Sequence, residues 1–185
     1  MPSPWNRCFI ALAPDARTRE RLADLPIARP ARRVAFDDLH LTVAFLGPVR
    51  PDQGHALAHA LPELAAPLPE LAFLNLALWP SAARPQVQVA QYDYPEALRA
   101  LVAHVQTVLR RLQLPVETRK FRPHVTLARL RRDAGGCDAQ SLQMIETWRD
   151  GPPAGFESIG LYSSVGEPGT GARYRLLADA ALPGG

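Results

Sequence analysis

Residues 37–47 read DDLHLTVAFLG, and residues 121–130 read FRPHVTLARL. The five positions from His124 to Ala128 repeat the five positions from His40 to Ala44, at an offset of 84 residues. His, Thr and Ala are identical in the two copies, and both intervening positions are aliphatic. A motif that recurs at this distance predicts two similar structural units within the chain.

Hydrophobic periodicity and turn residues predict the elements around each copy. We expect helices over residues 15–25, 51–64, 96–112 and 139–148. We expect strands over residues 7–13, 39–47, 70–79, 86–91, 123–130, 156–164 and 172–179, with a loop at 166–171. This order predicts an α+β fold with two similar lobes, related by a pseudo-two-fold, whose antiparallel sheets face a central cleft. A single mixed sheet is the alternative.

Length and composition describe a globular protein without a membrane segment. The chain has 185 residues, 47% of them hydrophobic, so it can bury a sizeable core. We expect residues 1–185 to form one bilobal domain. The apolar run at 8–13 stops at Pro14 and is too short for a signal peptide or a span. Two cysteines without metal-ligand spacing fit a reducing cytoplasm.

The positive charge is almost entirely arginine, since Lys120 is the one lysine among 21 cationic residues. A guanidinium suits phosphate, although a GC-rich coding genome produces the same bias. The net charge of +3 is compatible with an anionic substrate. Basic clusters flank the two histidine motifs more than the rest of the chain; they lie at 29–33, 110–111, 119–122 and 129–132.

Strand geometry places the polar residues of each motif on one face. Residues i and i+2 point to the same side about 6.6 Å apart, which pairs His40 with Thr42 and His124 with Thr126. If the two strands lie side by side, all four groups converge on one pocket. The opposite, hydrophobic face is predicted to contain Leu41, Val43, Phe45, Val125 and Leu127.

Two imidazoles and two hydroxyls suit phosphodiester chemistry. Attack of the nucleophile on phosphorus and departure of the leaving group each require a proton transfer, and an unperturbed imidazole titrates near pH 6.5. One histidine can therefore be the base and the other the acid. The hydroxyls can donate to phosphoryl oxygens. Carboxylates near the motifs are limited to Asp37 and Asp38, which argues against a Mg²⁺ site. Asp38 lies two residues before His40, on the same face if the strand alternation extends to it, and is a candidate for orienting its ring.

Other candidate residues have simpler interpretations. His55 and His59 have a metal-binding spacing but no third ligand nearby in sequence. His104 flanks the apolar stripe of its helix. Ser163 and Ser164 are interpreted as substrate or turn contacts. Four tyrosines can stack on a base or serve as strand-end packing; they are Tyr92, Tyr94, Tyr162 and Tyr174.

The sequence resembles the two-histidine phosphoesterases, and among them the RNA 2′,3′-cyclic phosphodiesterases, also called 2′-5′ RNA ligases. The similarity runs from about Arg7 to Leu182. It includes RCFIAL, LHLTVAFLG, FRPHVTLARL, and LYSS followed by GARYRLL, of which FRPHVTLAR is the most specific. One departure is Arg33-Val34-Ala35, where relatives often carry Trp-Val-Pro; it concerns base stacking rather than chemistry.

The resemblance implies a residue-level reaction scheme. His40 would be the proton donor and His124 the proton acceptor, while Thr42, Thr126 and Arg129 would bind the phosphate. The enzyme would open a 2′,3′-cyclic phosphate to a 2′-phosphate, or join ends through a 2′-5′ bond in reverse. We expect a monomer that acts on RNA ends or cyclic nucleotides with no cofactor, metal or membrane. The alternative is a nucleotide-binding module without turnover.

The role of Arg129 in this scheme depends on a further geometric condition. Strict alternation along a strand places Arg129 on the face opposite His124. A phosphate contact therefore requires the strand to end or twist at that point. Otherwise Arg129 is a solvated surface arginine.

Overall fold

A computed structural model describes residues 4–131, 135–164 and 173–184. The described strands are β1 Cys8–Pro14, β2 Arg32–Arg33, β3 Leu41–Gly47, β4 Phe73–Trp79, β5 Val87–Tyr92, β6 His124–Arg129, β7 Phe156–Ser163 and β8 Arg175–Ala181. The helices are α1 Ala16–Asp24, α2 Pro51–Leu64, α3 Glu96–Arg111 and α4 Ala139–Thr147, with a 3₁₀ turn at Phe36–Asp38. The predicted loop at 166–171 lies outside the described residues, and β2 and the 3₁₀ turn were not predicted.

The strands form two antiparallel four-stranded sheets, with the orders β3-β1-β7-β8 and β2-β6-β5-β4. In the first sheet, β1 is paired with β3 and with β7 from the second half of the chain. In the second sheet, β5 is paired in the same way with β6 and with β4 from the first half. Each half therefore contributes two strands to the other half's sheet, β7 and β8 to the first sheet and β2 and β4 to the second. The predicted bilobal α+β fold with a pseudo-two-fold is confirmed, and the single mixed sheet is excluded.

Two outer strands break this symmetry. β2 pairs with the outer edge of β6, where Arg32 lies opposite Arg129. β8 extends the first sheet beyond β7 instead, which leaves β3 at the edge of its sheet. The two motif strands consequently have different neighbours on their outer sides.

The helices form where the sequence supplies caps and an apolar stripe. The Asp15 carboxylate accepts a hydrogen bond of 2.7 Å from the Thr18 N–H at the start of α1. Asp138 caps α4 in the same way through the Ser141 N–H. Most of the apolar stripe predicted from the 3.6-residue period is buried on α3; the buried members are Leu98, Leu101, Val102, Val105 and Leu109. The last predicted member, Leu112, lies just after the helix and is half-buried. Along the described segments, no helix is long and apolar enough to span a bilayer.

Both motif strands contain a β-bulge at the same position of the repeat. The extra residue is Val43 on β3, opposite the β1 step 10–11. On β6 it is Leu127, opposite the β5 step 88–89. A bulge places two residues of one strand against one of its partner, so the alternation of faces changes beyond it.

The bulges decide which face the fifth residue after each histidine occupies. Residues 43–44 and 127–128 are all buried, so two consecutive side chains point inwards at each bulge. Phe45 was predicted on the core face, and this prediction is wrong, because the bulge returns Phe45 to the histidine side with 59% of its surface exposed. Arg129 occupies the equivalent position in the second strand.

Candidate active site

One cavity of about 540 Å³ collects the polar residues of both motifs. β3 and the residue before it supply His40 and Thr42, and β6 supplies His124, Thr126 and Arg129. The two groups of side chains come from different sheets and from distant parts of the chain. The convergence predicted from strand alternation is therefore present, and Arg129 is part of it.

Both imidazoles are held in the same orientation by backbone carbonyls. His40 Nδ1 donates to the Asp38 carbonyl at 2.7 Å, and His124 Nδ1 donates to the Arg122 carbonyl at 2.7 Å. A carbonyl can only accept, so the proton of each neutral ring lies on Nδ1 and Nε2 keeps a free lone pair. The two histidines therefore have the same tautomer.

Asp38 orients His40 through its backbone and not through its side chain. The Asp38 carboxylate instead accepts hydrogen bonds from the backbone N–H groups of Arg173 and Tyr174. Burial raises the pKa of this carboxyl, and the two N–H donors and the charge of Arg173 oppose that rise. The hydrogen bonds attach the turn before β3 to the segment that enters β8.

His40 lies in an aromatic cage. Its ring centroid is 5.0 Å from that of Phe9 and 4.9 Å from that of Tyr174, which meets it edge-on. Burial lowers the pKa of His40 to about 4, and the positive charges of Arg129 and His124 act in the same direction. The hydrogen bond that Nδ1 donates to the Asp38 carbonyl partly offsets this effect. His40 is therefore neutral at pH 7 before a substrate binds.

His124 packs against a single indole. The Trp79 and His124 ring centroids are 4.4 Å apart, and the guanidinium of Arg122 lies 4.3 Å above the Trp79 ring. Burial lowers the pKa of His124 as well, and the Arg122 charge adds to this while the Arg122 carbonyl opposes it. Both histidines thus present a neutral Nε2 acceptor to the cavity.

Arg129 enters the cavity with part of its guanidinium unengaged. Its Nη2 donates to the Tyr174 hydroxyl at 2.9 Å. Its Nε is buried and has no hydrogen-bond partner among the described residues. Tyr174 contacts both His40 and Arg129, a role that sequence reasoning did not assign to it; its place in the GARYRLL segment was the available signal.

A second cavity of about 420 Å³, the aromatic pocket, adjoins the first. The two share Thr42, Phe45 and His124. The remaining walls of the aromatic pocket combine aromatic and charged side chains; they include Trp79, Phe121, Lys120, Arg122 and the ion pair of Arg119 with Glu117. The surroundings of the second motif therefore offer flat apolar surface together with positive charge.

The other sequence candidates lie outside the cavity or have structural contacts. His55 packs edge-on against Trp5, and the part of the chain that is described contains no cluster of three metal-binding side chains. His104 is exposed on α3, as predicted. Ser163 donates to the Asn6 carbonyl, while Ser164 lines the cavity and donates to the Arg7 carbonyl.

Comparison with known proteins finds relatives of both the sequence and the fold. The model of a family described as LigT-like phosphoesterase matches the chain twice, over residues 13–89 and 89–170. The boundary between the two matches lies within β5, where the structural repeat also begins again. Comparison with curated protein sequences finds no significant match.

Solved structures of similar proteins cover almost the whole chain. E. coli LigT complexed with 3′-AMP is 27% identical with a TM-score of 0.63, covering 96% of this chain and 98% of that one. A crystal structure of a phosphoesterase is 27% identical with a TM-score of 0.65, covering 97% and 99%. The Thermus thermophilus protein TT0787 is 25% identical with a TM-score of 0.67, covering 96% and 98%.

Proposed function

The chain belongs to the LigT-like phosphoesterase family, and on this premise we propose that it hydrolyses RNA or nucleotide 2′,3′-cyclic phosphates to 2′-phosphates without a metal ion. The observation that carries the proposal is the single cavity lined by two histidines, two threonines and three arginines, one of which is Arg129. Each histidine exposes Nε2 because its Nδ1 is engaged by a carbonyl. No carboxylate lines this cavity among the described residues, which fits an anionic substrate.

The proposed reaction transfers one proton at each histidine. His124 Nε2 accepts a proton from the attacking water while the water oxygen forms a bond to phosphorus. The bond between phosphorus and the ribose 3′-oxygen breaks, and His40 donates its Nε2 proton to that oxygen. The product is a 2′-phosphate beside a 3′-hydroxyl, and the two histidines finish with exchanged protonation states.

Thr42, Thr126 and Arg129 bind the phosphate in this scheme. The threonines follow the histidines at position i+2 and line the same cavity, so their hydroxyls can donate to non-bridging oxygens. The unpartnered Nε of Arg129 offers a charged donor for the same group. Tyr174 fixes this guanidinium by accepting from its Nη2.

The acid role of His40 depends on the substrate's own charge. Before a substrate binds, burial lowers the pKa of His40 to about 4, so few molecules carry the required proton at pH 7. A bound phosphodiester anion stabilises an imidazolium and raises its pKa. The proton on His40 is therefore expected to arrive with the substrate.

A nucleotide substrate is supported by the aromatic pocket and by ligands of the relatives. Phe45, Trp79 and Phe121 provide surfaces on which a base can stack. E. coli LigT has been crystallised with 3′-AMP, with ATP and with NADP+. We propose that this chain likewise binds nucleotides or RNA ends, as a cytoplasmic monomer whose residues 1–185 form one bilobal domain. Reverse 2′-5′ ligation belongs to the same proposal.

Hydrolysis in the presence of EDTA tests the proposed function most directly. Purified protein should convert adenosine 2′,3′-cyclic phosphate to the 2′-phosphate at an undiminished rate in EDTA, measured by chromatography. Inactivity that Mg²⁺ or Zn²⁺ restores would reject the metal-free scheme. Tight binding of the nucleotide without turnover would instead support the alternative, a nucleotide-binding module.

A further inference from the structure

We call the cavity of about 540 Å³ that contains both histidines the catalytic cavity. A third cavity, of about 320 Å³, lies next to it on the side of β2. We call it the arginine pocket, because five of its lining residues are Arg32, Arg33, Arg129, Arg131 and Arg173. Asp38 is the one carboxylate among the described lining residues. Residues 34–35 and Leu130 complete the wall.

The pocket has positive charge that its own residues do not neutralise. Arg32 and Arg129 form no ion pair with any described residue, and they face each other across the β2–β6 ladder. Arg33 donates to the Leu25 carbonyl, a neutral group. The Asp38 carboxylate accepts two backbone hydrogen bonds and interacts with the charge of Arg173, so it offsets at most one of the five positive charges. Guanidinium groups gathered in this way provide a site for a phosphate, whose oxygens match their donors.

The catalytic cavity connects with its two neighbours through different residues. It shares Arg129 and Arg173 with the arginine pocket. It shares Thr42, Phe45 and His124 with the aromatic pocket, and the two outer pockets have no described lining residue in common. A substrate whose reacting group lies between the histidines can therefore extend into the aromatic pocket on one side and into the arginine pocket on the other.

A nucleotide with a 2′,3′-cyclic phosphate has groups that match these two directions. The base is attached at C1′, next to the carbon that bears the 2′-oxygen. The 5′ substituent leaves from C4′, next to the carbon that bears the 3′-oxygen. Base and 5′ substituent therefore diverge from opposite ends of the ribose when the cyclic phosphate lies between the histidines. A base in the aromatic pocket would direct the 5′ substituent towards the arginine pocket.

We propose that the arginine pocket binds the phosphate on the 5′-oxygen of the terminal nucleotide. The inference rests on the proposed function, and it adds that the site distinguishes an RNA end or a 5′-phosphorylated nucleotide from a nucleoside cyclic phosphate with a free 5′-hydroxyl. The phosphate is a monoester in a free nucleotide and a diester in an RNA chain. Both carry the negative charge that the arginines recognise.

Three substrates with the same reacting group test the assignment. They are adenosine 2′,3′-cyclic phosphate with a 5′-hydroxyl, the same compound with a 5′-phosphate, and the dinucleotide in which a 5′-diester precedes the cyclic phosphate. The compounds with a 5′-phosphorus group should have a kcat/KM roughly 10- to 100-fold higher, the range of one charged hydrogen bond. This preference should fall with added salt, because phosphate contacts are screened.

Arg32→Glu is the variant that separates this pocket from the chemistry. Arg32 is exposed and does not line the catalytic cavity. The variant should reduce the preference for a 5′-phosphorus group at least about tenfold, and Arg173→Gln, a second variant, should also reduce it. Arg110→Glu on α3 is the matched control, since Arg110 lines none of the three pockets, and it should leave the preference unchanged.

The outcomes distinguish the pocket assignment from the proposed hydrolysis. Preference for the monoester alone assigns the pocket to free nucleotides, and preference that includes the diester assigns it to RNA ends; both support the proposal. Equal kcat/KM for all three substrates, or a preference that survives in both folded variants, overturns it and leaves the proposed hydrolysis intact. Absence of turnover with every substrate removes the proposed function and this inference with it.

Discussion

The two motif strands, β3 and β6, match each other closely in local geometry. His40 directly precedes β3, and His124 is the first residue of β6. In each case the histidine Nδ1 donates to the carbonyl two residues earlier at 2.7 Å. Each carries a threonine on the cavity side, followed by a bulge at the third residue after the histidine. The repeated sequence therefore encodes a repeated backbone irregularity as well as repeated side chains.

The surroundings of the two strands differ. His40 is enclosed by Phe9 and Tyr174, while His124 rests on Trp79. The fifth residue after each histidine is exposed Phe45 in one strand and half-buried Arg129 in the other. β6 also has β2 on its outer edge, which brings further arginines to that side.

This contrast shows how a near-symmetric scaffold can perform an asymmetric reaction. The symmetry supplies two imidazoles of the same tautomer that face one cavity. The environment then differs through an aromatic residue at one equivalent position and a cation at the other. Because the motifs are nearly identical, the proposed division into acid and base must come from these neighbours and from the substrate's orientation.

Removing either imidazole should have the largest effect. His40→Ala and His124→Ala should each lower kcat by roughly 10²- to 10⁴-fold, because each proton transfer loses its donor or acceptor. His104→Ala is the control, since His104 is exposed on α3 outside the cavity. Steady-state rates on a cyclic nucleotide measure the effect. A wild-type rate in one variant would return that histidine to a structural role.

The leaving group should then separate the two histidines. In a model phosphodiester with an aryl oxide leaving group, the leaving group departs without an acid. The rate of His40→Ala on this substrate should therefore approach that of the unmodified protein. His124→Ala should stay impaired, because water still needs a base. Single-turnover rates on the aryl and ribose substrates give the comparison. The opposite rescue would exchange the two roles, and equal rescue would end the acid–base division.

The next largest effects on kcat/KM should come from the fifth residue after each histidine, and they should differ between the two strands. Arg129→Gln should lower kcat/KM by about 10- to 100-fold, the range of a lost charged hydrogen bond to phosphate. Phe45→Leu should lower it by only about 2- to 10-fold, through reduced stacking on the base. An aryl phosphodiester without a base should remain sensitive to Arg129→Gln and become insensitive to Phe45→Leu. Equal losses on both substrates would contradict the contrast between the positions.

The threonines should have smaller and more equal effects. Thr42→Val and Thr126→Val keep the side-chain shape and remove one neutral donor, so each should lower kcat/KM by about 2- to 10-fold. Thr107→Val, on α3, is a control outside the cavity. If one threonine variant lost as much activity as a histidine variant, the phosphate contacts would be strongly unequal between the strands.

The pH profile should show the smallest change, a displacement and not a loss. The proposed mechanism needs a protonated His40 and a neutral His124, and burial lowers both pKa values below 6.5, that of His40 to about 4. The bell of kcat/KM should therefore be centred on the acid side of pH 6.5. Substrate charge raises both pKa values, so the bell of kcat should lie at higher pH.

Arg129→Gln sharpens this pH prediction. The Arg129 charge is one cause of the low pKa of His40, so removing it should raise that pKa and move the centre of the kcat/KM bell upwards. Arg110→Gln should leave the centre in place. A centre above pH 6.5 in the unmodified enzyme would show that burial does not control the histidines.

The sequence alone predicted every described α-helix and seven of the eight described strands, because hydrophobic periodicity and turn residues are local signals. It also predicted the two His-x-Thr pairs, since alternation over two residues does not depend on any partner strand. The faces of Phe45 and Arg129 could not be predicted in this way. A bulge is defined by the register between two strands, and the partners β1 and β5 lie far from the motifs in sequence.

The tertiary structure decided everything that depends on which strands pair. The exchange of β4 and β7 between the sheets joins the two motifs across one cavity. The pairing of β2 with β6 turns a basic run into one wall of the arginine pocket. The return of the chain into β8 brings Tyr174 between His40 and Arg129. Local sequence determined the candidate reacting groups, and long-range strand pairing determined their neighbours, because register is set by partners that are distant in the chain.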